Sequence, residues 1–142
     1  MISVEQIKSS QFEQVTKLLK QLGYDVTVEE LRDRLNMIFK NKGNVFVALA
    51  DDKKVVGCVH ALIDTRLAGG TFGEVVSLVV DESIRGKGIG KLLIKAAENW
   101  IKSNGINRLR VRCNSKRDDT HKFYEHLGFV EKKSQKIFER PI

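Results

Sequence analysis

The pattern of apolar and polar positions predicts one strand, two helices and a β-hairpin in the first half of the chain. Residues 2–8 alternate apolar and polar side chains, as a half-buried strand does. Residues 9–23 and 27–43 instead repeat apolar positions with the period of a helix. Residues 44–64 form two β-like runs with turn residues at 51–53, which predicts a hairpin.

The second half of the chain predicts two strand–helix units and a final strand pair. The segments are, in order, a strand at 71–82, a helix at 91–105, a strand at 107–114, a helix at 115–128 and a pair of short strands at 129–142. Residues 75–80 are nearly all apolar, as in a strand covered on both faces. The whole order predicts a mixed α/β fold with a locally parallel pair of strands.

Capping residues predict where the helices begin and end. Thr27 and Glu30 have the spacing of a capping box, and Ser9 or Ser10 is the predicted cap of the preceding helix. Helix ends are predicted at four glycines, namely Gly23, Gly43, Gly105 and Gly128. In the helix at 91–105 the predicted apolar stripe comprises Leu92, Leu93, Ala96, Ala97, Trp100 and Ile101.

Length and composition predict one soluble domain over residues 1–142. The chain is 42% apolar and 30% charged and has a single proline, as expected of a regular globule. No apolar run spans a bilayer and the N-terminus is unlike a signal peptide, so we expect a cytoplasmic protein without a membrane partner. Cys58 and Cys113 lack CxxC spacing and are expected to be free thiols.

A surplus of positive charge indicates an anionic partner without choosing among phosphate-bearing cofactors, nucleic acids and acidic surfaces. Lys and Arg number 25 against 18 Asp and Glu, a net charge of +7. Aromatic residues are 7% of the chain and scattered, so they do not form the stacking platforms of nucleic-acid binders. We therefore expect no nucleic-acid partner.

The stretch SIRGKGIGKLL, residues 83–93, predicts a phosphate-binding loop. Glycines alternate at 86, 88 and 90, with Arg85 and Lys87 beside them, just before a helix. A helix N-terminus offers unpaired N–H groups, and glycine lets that backbone approach an anion closely. A pyrophosphate is the predicted ligand; the alternative is a flexible turn that caps the helix. Walker A and GxGxxG patterns do not fit, since Leu92 follows Lys91 and no third glycine has the required spacing.

The spacing Arg85-x-x-Gly88-x-Gly90 resembles the pyrophosphate loop of the GNAT superfamily of acetyl-coenzyme A dependent N-acetyltransferases. NSKRDDTHKFYEHLGF, residues 114–129, is similar to the family's second cofactor motif. The order of elements also fits over nearly the whole chain. Thr120 and Ser77 depart mildly from the family's pattern.

The resemblance implies a GNAT fold: a mixed, mostly antiparallel sheet with two splayed parallel central strands and about four helices. It implies acetyl-coenzyme A as cosubstrate, with its pantetheine arm bonded to the backbone of Leu78 and Val80 in the gap beside the strand of Val111. The implied cofactor-binding residues are Leu78, Val80, Arg85, Gly86, Lys87, Gly88, Ile89, Gly90, Lys91 and Asn114. Asn114 could equally be a strand-end cap.

The same resemblance implies two catalytic residues. Glu74 matches the family's general base, and Tyr124 matches the acid that protonates the departing thiolate. The alternatives are a solvated charge at a strand start and a core tyrosine. His60 and His121 are more simply explained as packed histidines, and no cluster has metal-ligand spacing.

The expected reaction is direct acetyl transfer to a primary amine. A small-molecule amine, aminoglycoside-like or an aminophosphonate, is preferred over a protein N-terminus or lysine, and a homodimer is left open. The segment 23–41 and the loop TRLAGG are expected to shape the acceptor pocket. The competing hypothesis is a non-catalytic acyl-coenzyme A sensor.

Overall fold

The computed structural model describes residues 1–113 and 118–142, with only the backbone of Asp118. These residues form two compact units, Met1–Arg112 and Cys113–Ile142.

The first unit is a five-stranded sheet with helices on both faces. Its elements are β1 (Ser3–Gln6), a 3₁₀ turn (Ser9–Gln11), α1 (Phe12–Gln21), α2 (Val28–Lys40), β2 (Gly43–Leu49), β3 (Val55–Arg66), β4 (Gly70–Val80), a 3₁₀ turn (Glu82–Ile84), α3 (Ile89–Ser103) and β5 (Leu109–Val111). Strands β1 to β4 pair antiparallel in chain order, and β5 pairs with β4 in parallel. The predicted mixed, mostly antiparallel fold is confirmed.

The predicted hairpin joins β2 to β3. The Ala50 N–H donates to the Lys54 carbonyl at 2.9 Å, and the Lys53 N–H donates to the Ala50 carbonyl at 2.9 Å. Lys53 adopts a positive φ of 68° within this turn.

Two glycines that lie close to α3 show which face of the sheet this helix covers. A Cβ built on Gly57 would lie 2.9 Å from Leu93 Cδ1, and one on Gly73 would overlap Ile101, so these positions of β3 and β4 face α3. The opposite face packs on α1 and α2 through a separate core that includes Val15, Leu18, Leu31, Leu35, Val45 and Val47. Residues of β4 that alternate with Gly73 therefore face away from α3.

Three of the four predicted helix stops are confirmed, and each has the same local geometry. Gly23, Gly105 and Gly128 have φ of 92°, 78° and 91°. Beyond Gly23, the Tyr24 N–H donates to the Leu19 carbonyl at 3.1 Å, the bond that defines a Schellman end. The capping box is also confirmed, since the Glu30 N–H donates to Thr27 Oγ1 at 3.1 Å.

The fourth stop, Gly43, was wrongly predicted. Lys42 takes the left-handed conformation, with φ of 58°, and Gly43 is the first residue of β2. A Cβ at position 43 would lie 2.6 Å from Ile38 Cγ2. Glycine is required here because α2 crosses the start of the strand closely, not because the helix ends.

The predicted serine cap of α1 was also wrong. Ser9 and Ser10 lie inside the 3₁₀ turn, and the extended residue before that turn is Lys8. The Lys8 N–H donates to Gln11 Oε1 at 2.8 Å, so glutamine supplies the side-chain acceptor.

Helix α3 buries a slightly different stripe from the predicted one. Leu92 is 43% exposed, whereas Ile89 and Ile94 are buried. Within the described residues no helix is both long and apolar enough to cross a membrane.

The second unit contains α4 (Asp118–His126). The predicted strand pair at 129–142 was wrong, because these residues have neither helix nor strand. Val130, Ile137 and Phe138 are 84–89% exposed. A strand requires a hydrogen-bonded partner as well as an alternating pattern, and these residues pair with no strand in the described part of the chain.

Candidate active site

Strands β4 and β5 are paired over only three residues. The ladder runs from Gly73 to Val75 on β4, and its last bond joins the Arg112 N–H to the Val75 carbonyl at 3.3 Å. Beyond Val75, β4 continues to Val80 and pairs only with β3 among the described strands. The backbone of this stretch therefore has one edge without a described strand partner.

Leu78 and Val80 direct their backbone polar groups toward that edge. The Asp81 N–H donates to the Val56 carbonyl of β3 at 2.9 Å. Because bonding direction alternates along an antiparallel strand, the N–H and C=O groups of residues 80 and 78 point away from β3. These are the two positions that the resemblance assigns to the pantetheine arm.

The glycine loop follows the 3₁₀ turn after β4, and the space beside two of its glycines is open. Gly86 and Gly88 have φ of 87° and 75°, and a Cβ on either would meet no heavy atom within 4 Å. The left-handed conformation, rather than crowding, therefore explains these glycines. The Arg85 Nε lies 3.5 Å from the Val80 carbonyl, which holds the start of the side chain beside the end of β4.

The N-terminus of α3 has no side-chain cap. The first backbone bond runs from the Leu92 N–H to the Gly88 carbonyl at 3.1 Å, so the N–H groups of residues 89–91 have no partner within the helix. No acidic residue lies in this first turn. This helix end could bind a diphosphate group, because it combines free N–H groups, the positive end of the helix dipole and two exposed lysines, Lys87 and Lys91.

Glu74 is a buried carboxylate on the face of β4 that points away from α3. The residue is 4% exposed, and its Oε1 accepts a hydrogen bond from Arg112 Nε at 2.8 Å. Glu74 Oε2 has no hydrogen-bond partner among the described residues. Burial therefore excludes the alternative interpretation of Glu74 as a solvated charge at a strand start, and the predicted role as general base stays a prediction.

His60 lies on β3 opposite Ser77 of β4. Burial lowers the pKa of this imidazole from its usual 6.5, which favours the neutral form at pH 7.

Tyr124 is a buried residue of the second unit. Its ring packs edge-on against Phe123 and Phe129, with centroids 5.1 and 5.7 Å away. Burial, with a smaller contribution from Cys113, raises the pKa of this phenol to about 12. The hydroxyl has no hydrogen-bond partner among the described residues, so its proton is available to a ligand.

Asn114, the predicted pantetheine contact, lies outside the described residues.

Three arginines in and beside β5 were not recognised as site residues from the sequence. Arg110 lies in β5, and Arg108 and Arg112 flank it; the bonds from Gly73 N–H to the Arg108 carbonyl and from Arg112 N–H to the Val75 carbonyl continue the pairing to both, so the three side chains share one face. The signal was present in NRLRVRC, where arginine recurs at every second residue.

Within the described residues there is no group of three or more His, Cys, Asp or Glu side chains arranged to hold a metal ion.

Comparison with known proteins gives one family match. The model of the acetyltransferase (GNAT) family matches residues 5–129. No curated protein sequence matches the chain.

Solved structures share the fold over the full chain. An acetyltransferase from Trypanosoma brucei is 23% identical with a TM-score of 0.84, covering 99% of this chain and 100% of its own. The aminoglycoside 6'-N-acetyltransferase AAC(6')-Ih from Acinetobacter baumannii is 19% identical with a TM-score of 0.86, covering 100% and 99%. Glucosamine-6-phosphate N-acetyltransferase from Arabidopsis thaliana is 24% identical with a TM-score of 0.82, covering 98% of both chains. At these identities the likeness establishes the fold alone.

Proposed function

Because the chain belongs to the GNAT family of acetyltransferases, we propose that it transfers the acetyl group of acetyl-coenzyme A directly to a primary amine of a small molecule. Family membership makes the protein an acetyl-coenzyme A dependent acetyltransferase; the identity of the acceptor is the proposal. The observation that carries it is the uncapped N-terminus of α3 beside the open edge of β4, which fits both the diphosphate and the pantetheine arm of the cofactor.

The cofactor would bind through backbone groups more than side chains. The N–H groups of residues 86–91 would hold the diphosphate, with Arg85, Lys87 and Lys91 adding positive charge. Leu78 and Val80 would bond the amides of the pantetheine arm, which satisfies backbone groups that a strand partner would otherwise bond. Acetyl-coenzyme A supplies the activated acetyl thioester, and Asn114 remains a proposed contact.

Glu74 is the proposed base for the acceptor amine. An alkyl ammonium of pKa about 10.4 costs roughly 4 kcal/mol to deprotonate at pH 7.5, at 1.36 kcal/mol per unit. Oε1 holds Arg112, so Oε2 is the oxygen we assign to the amine proton, taken directly or through a water. The ion pair fixes the carboxylate in one orientation.

Tyr124 is the proposed donor to the coenzyme A sulfur. With a pKa of about 12, the phenol stays protonated at neutral pH and donates a hydrogen bond as the carbon–sulfur bond breaks. Full proton transfer to a thiolate of pKa about 8.5 would be uphill by roughly 5 kcal/mol. The supported role is therefore hydrogen-bond stabilisation of the leaving thiolate rather than complete protonation by the enzyme.

A small-molecule acceptor is favoured over a peptide. Proteins that share the fold include an aminoglycoside 6'-N-acetyltransferase and a glucosamine-6-phosphate N-acetyltransferase. A buried base such as Glu74 suits a small amine that enters the site whole. A peptide N-terminus or lysine remains the second candidate in the assay below.

Gly88→Glu tests the cofactor site, with Gly105→Glu as its matched control. Both glycines have φ near 75° and open space where a Cβ would stand, and they lie at opposite ends of α3. Both variants should therefore carry the same backbone strain. Only Gly88→Glu adds a negative charge where the diphosphate would bind, and loss of two charge-assisted bonds predicts a roughly 10²- to 10⁴-fold weaker Kd for coenzyme A. Calorimetry measures it, and equal affinity in both folded variants would remove the proposed site.

Thiol release tests the reaction itself. Purified protein with acetyl-coenzyme A and a panel of small amines and peptides should release coenzyme A with the small amines. Preference for peptides would favour the second candidate. Binding of coenzyme A without turnover on any acceptor would favour the sensor.

A further inference from the structure

The three arginines in and beside β5 face the same side of the sheet as Glu74, the proposed base. Gly73 meets Ile101 of α3 and is the register partner of Leu109, so that position of β5 also faces α3. Arg108, Arg110 and Arg112 alternate with it and face the other way, on the same side as Glu74.

The two outer arginines already have partners within the first unit. Arg112 donates to Glu74, and an Nη2 group of Arg108 donates to the Gly69 carbonyl. Arg108 Nε is buried and has no hydrogen-bond partner among the described residues. These contacts hold the ends of the row in place and leave donor capacity unused.

Arg110, in the middle of the row, has a stacking partner and no acceptor. Its guanidinium carbon lies 4.1 Å from the centroid of the Phe72 ring, and among the described residues it makes no hydrogen bond or ion pair. Stacking fixes the plane of the guanidinium while its N–H edges stay available, which is the arrangement that binds a planar or tetrahedral oxyanion.

Among the described residues in and beside β3, β4 and β5, charge on this face is unbalanced toward positive. The register of these strands and the flanking bonds of β5 put four guanidinium groups and two carboxylates there, namely Arg66, Arg108, Arg110, Arg112, Asp64 and Glu74. Four minus two leaves a surplus of two positive charges. Each carboxylate is already paired with an arginine, Asp64 with Arg66 at 2.8 Å and Glu74 with Arg112 at 2.8 Å.

We propose that the acceptor carries an oxyanion, phosphonate, phosphate or carboxylate, which Arg110 binds while its amine meets Glu74. This inference rests on the proposed function and names the substrate class. Arg110 and Glu74 are direct register partners on adjacent strands, whose backbones are about 4.8 Å apart. The amine and the oxyanion therefore belong to one small molecule, and a polycationic acceptor such as an aminoglycoside is disfavoured by the positive surplus.

Matched acceptors test the proposal by thiol release. The set is 3-aminopropylphosphonate, 4-aminobutanoate and propylamine, which share a primary amine and differ in the group at the far end. The ratio of kcat/KM for an anionic acceptor to that for propylamine should exceed one in the wild type. It should fall about 10- to 100-fold in Arg110→Gln and less in Arg110→Lys. The control Lys102→Gln removes one charge from α3, on the other face of the sheet, and should leave the ratio unchanged.

The two anionic acceptors distinguish phosphonate from carboxylate as the preferred oxyanion. A ratio near one in the wild type, or an equal fall in Lys102→Gln, would overturn the proposal while leaving the acetyltransferase assignment intact.

A binding readout separates this inference from the proposed function. The Arg110 Nε–Hε resonance, identified as the one missing in Arg110→Gln, should shift on titration with 3-aminopropylphosphonate and not with propylamine. A shift supports the oxyanion site even if no acceptor is turned over. Absence of any shift would refute it even if acetylation is observed.

Discussion

Removing one partner of the Glu74–Arg112 ion pair should have unequal effects, because the two side chains differ in burial. The Glu74 side chain is 5% exposed and that of Arg112 is 44% exposed. Arg112→Gln leaves a buried carboxylate without its charged donor. Glu74→Gln leaves a half-exposed guanidinium that water can solvate, and the new amide oxygen still accepts from Arg112 Nε.

The expected loss of stability follows from that asymmetry. Leaving the buried Glu74 carboxylate without its partner should lower the free energy of unfolding by about 1.5–3 kcal/mol. This is less than the cost of breaking a fully buried ion pair, because Arg112 reaches solvent. Glu74→Gln should cost under about 1 kcal/mol. At roughly 3 °C per kcal/mol for a chain of this size, Tm should fall about 5–9 °C in Arg112→Gln and under about 3 °C in Glu74→Gln.

Activity should follow the opposite order. If Glu74 accepts the amine proton, Glu74→Gln loses the base and should lower kcat about 10²- to 10⁴-fold. The loss should be greatest near pH 6.5, where free amine is scarcest, and smaller near pH 9. Arg112→Gln keeps the carboxylate and should lose less activity while losing more stability.

The two orders are tested by thermal unfolding and by thiol release across pH 6.5–9. Both are measured on the wild type, the two single variants and the double variant. Equal Tm losses in the two single variants would contradict the burial argument. Activity losses that parallel the Tm losses, or that are uniform with pH, would show that Glu74 only positions the site and is not the base.

Two further predictions concern Tyr124 and His60. Tyr124→Phe keeps the ring packing and removes the donor, so turnover should fall about 10²- to 10⁴-fold with an unchanged KM for acetyl-coenzyme A. With the phenol pKa at about 12, the wild-type rate should show no tyrosine ionisation below about pH 10; wild-type turnover in the variant would refute the role. For His60, burial lowers the pKa of the imidazole in the folded protein below the usual 6.5. As the pH falls, the unfolded chain therefore takes up the proton at a higher pH than the folded protein does. The free energy of unfolding should fall as the pH drops through 6.5 toward the lower folded pKa. His60→Gln should flatten denaturant-measured stability between pH 7 and 5, and an unaltered slope would contradict the assignment.

Features that depend on a few neighbouring residues were predicted well from sequence. Gly23, Gly105 and Gly128 end helices because the left-handed conformation is inexpensive only for glycine. The capping box of α2 and the β2–β3 turn are equally local. The glycine loop before α3 was recognised for the same reason, since its geometry lies within one short segment.

Features that depend on distant residues were decided by tertiary structure. Gly43 is needed because α2 packs against the start of β2, and no local pattern distinguishes that requirement from a helix stop. The alternating residues at 129–142 resemble strands, yet a strand exists only where another backbone bonds to it.

The chemistry of the site shows the same division. The sequence indicated Glu74 through the resemblance, but its partner Arg112 is 38 residues away and meets it only because β5 pairs in parallel with β4. The same pairing gives three similar arginines different partners: the Gly69 carbonyl and the Phe72 ring for Arg108, the Phe72 ring for Arg110 and a carboxylate for Arg112. Sequence alone determined the local backbone, because backbone preference acts over a few residues. The sheet decided the charge environment, because charges interact through space and only pairing of strands sets those distances.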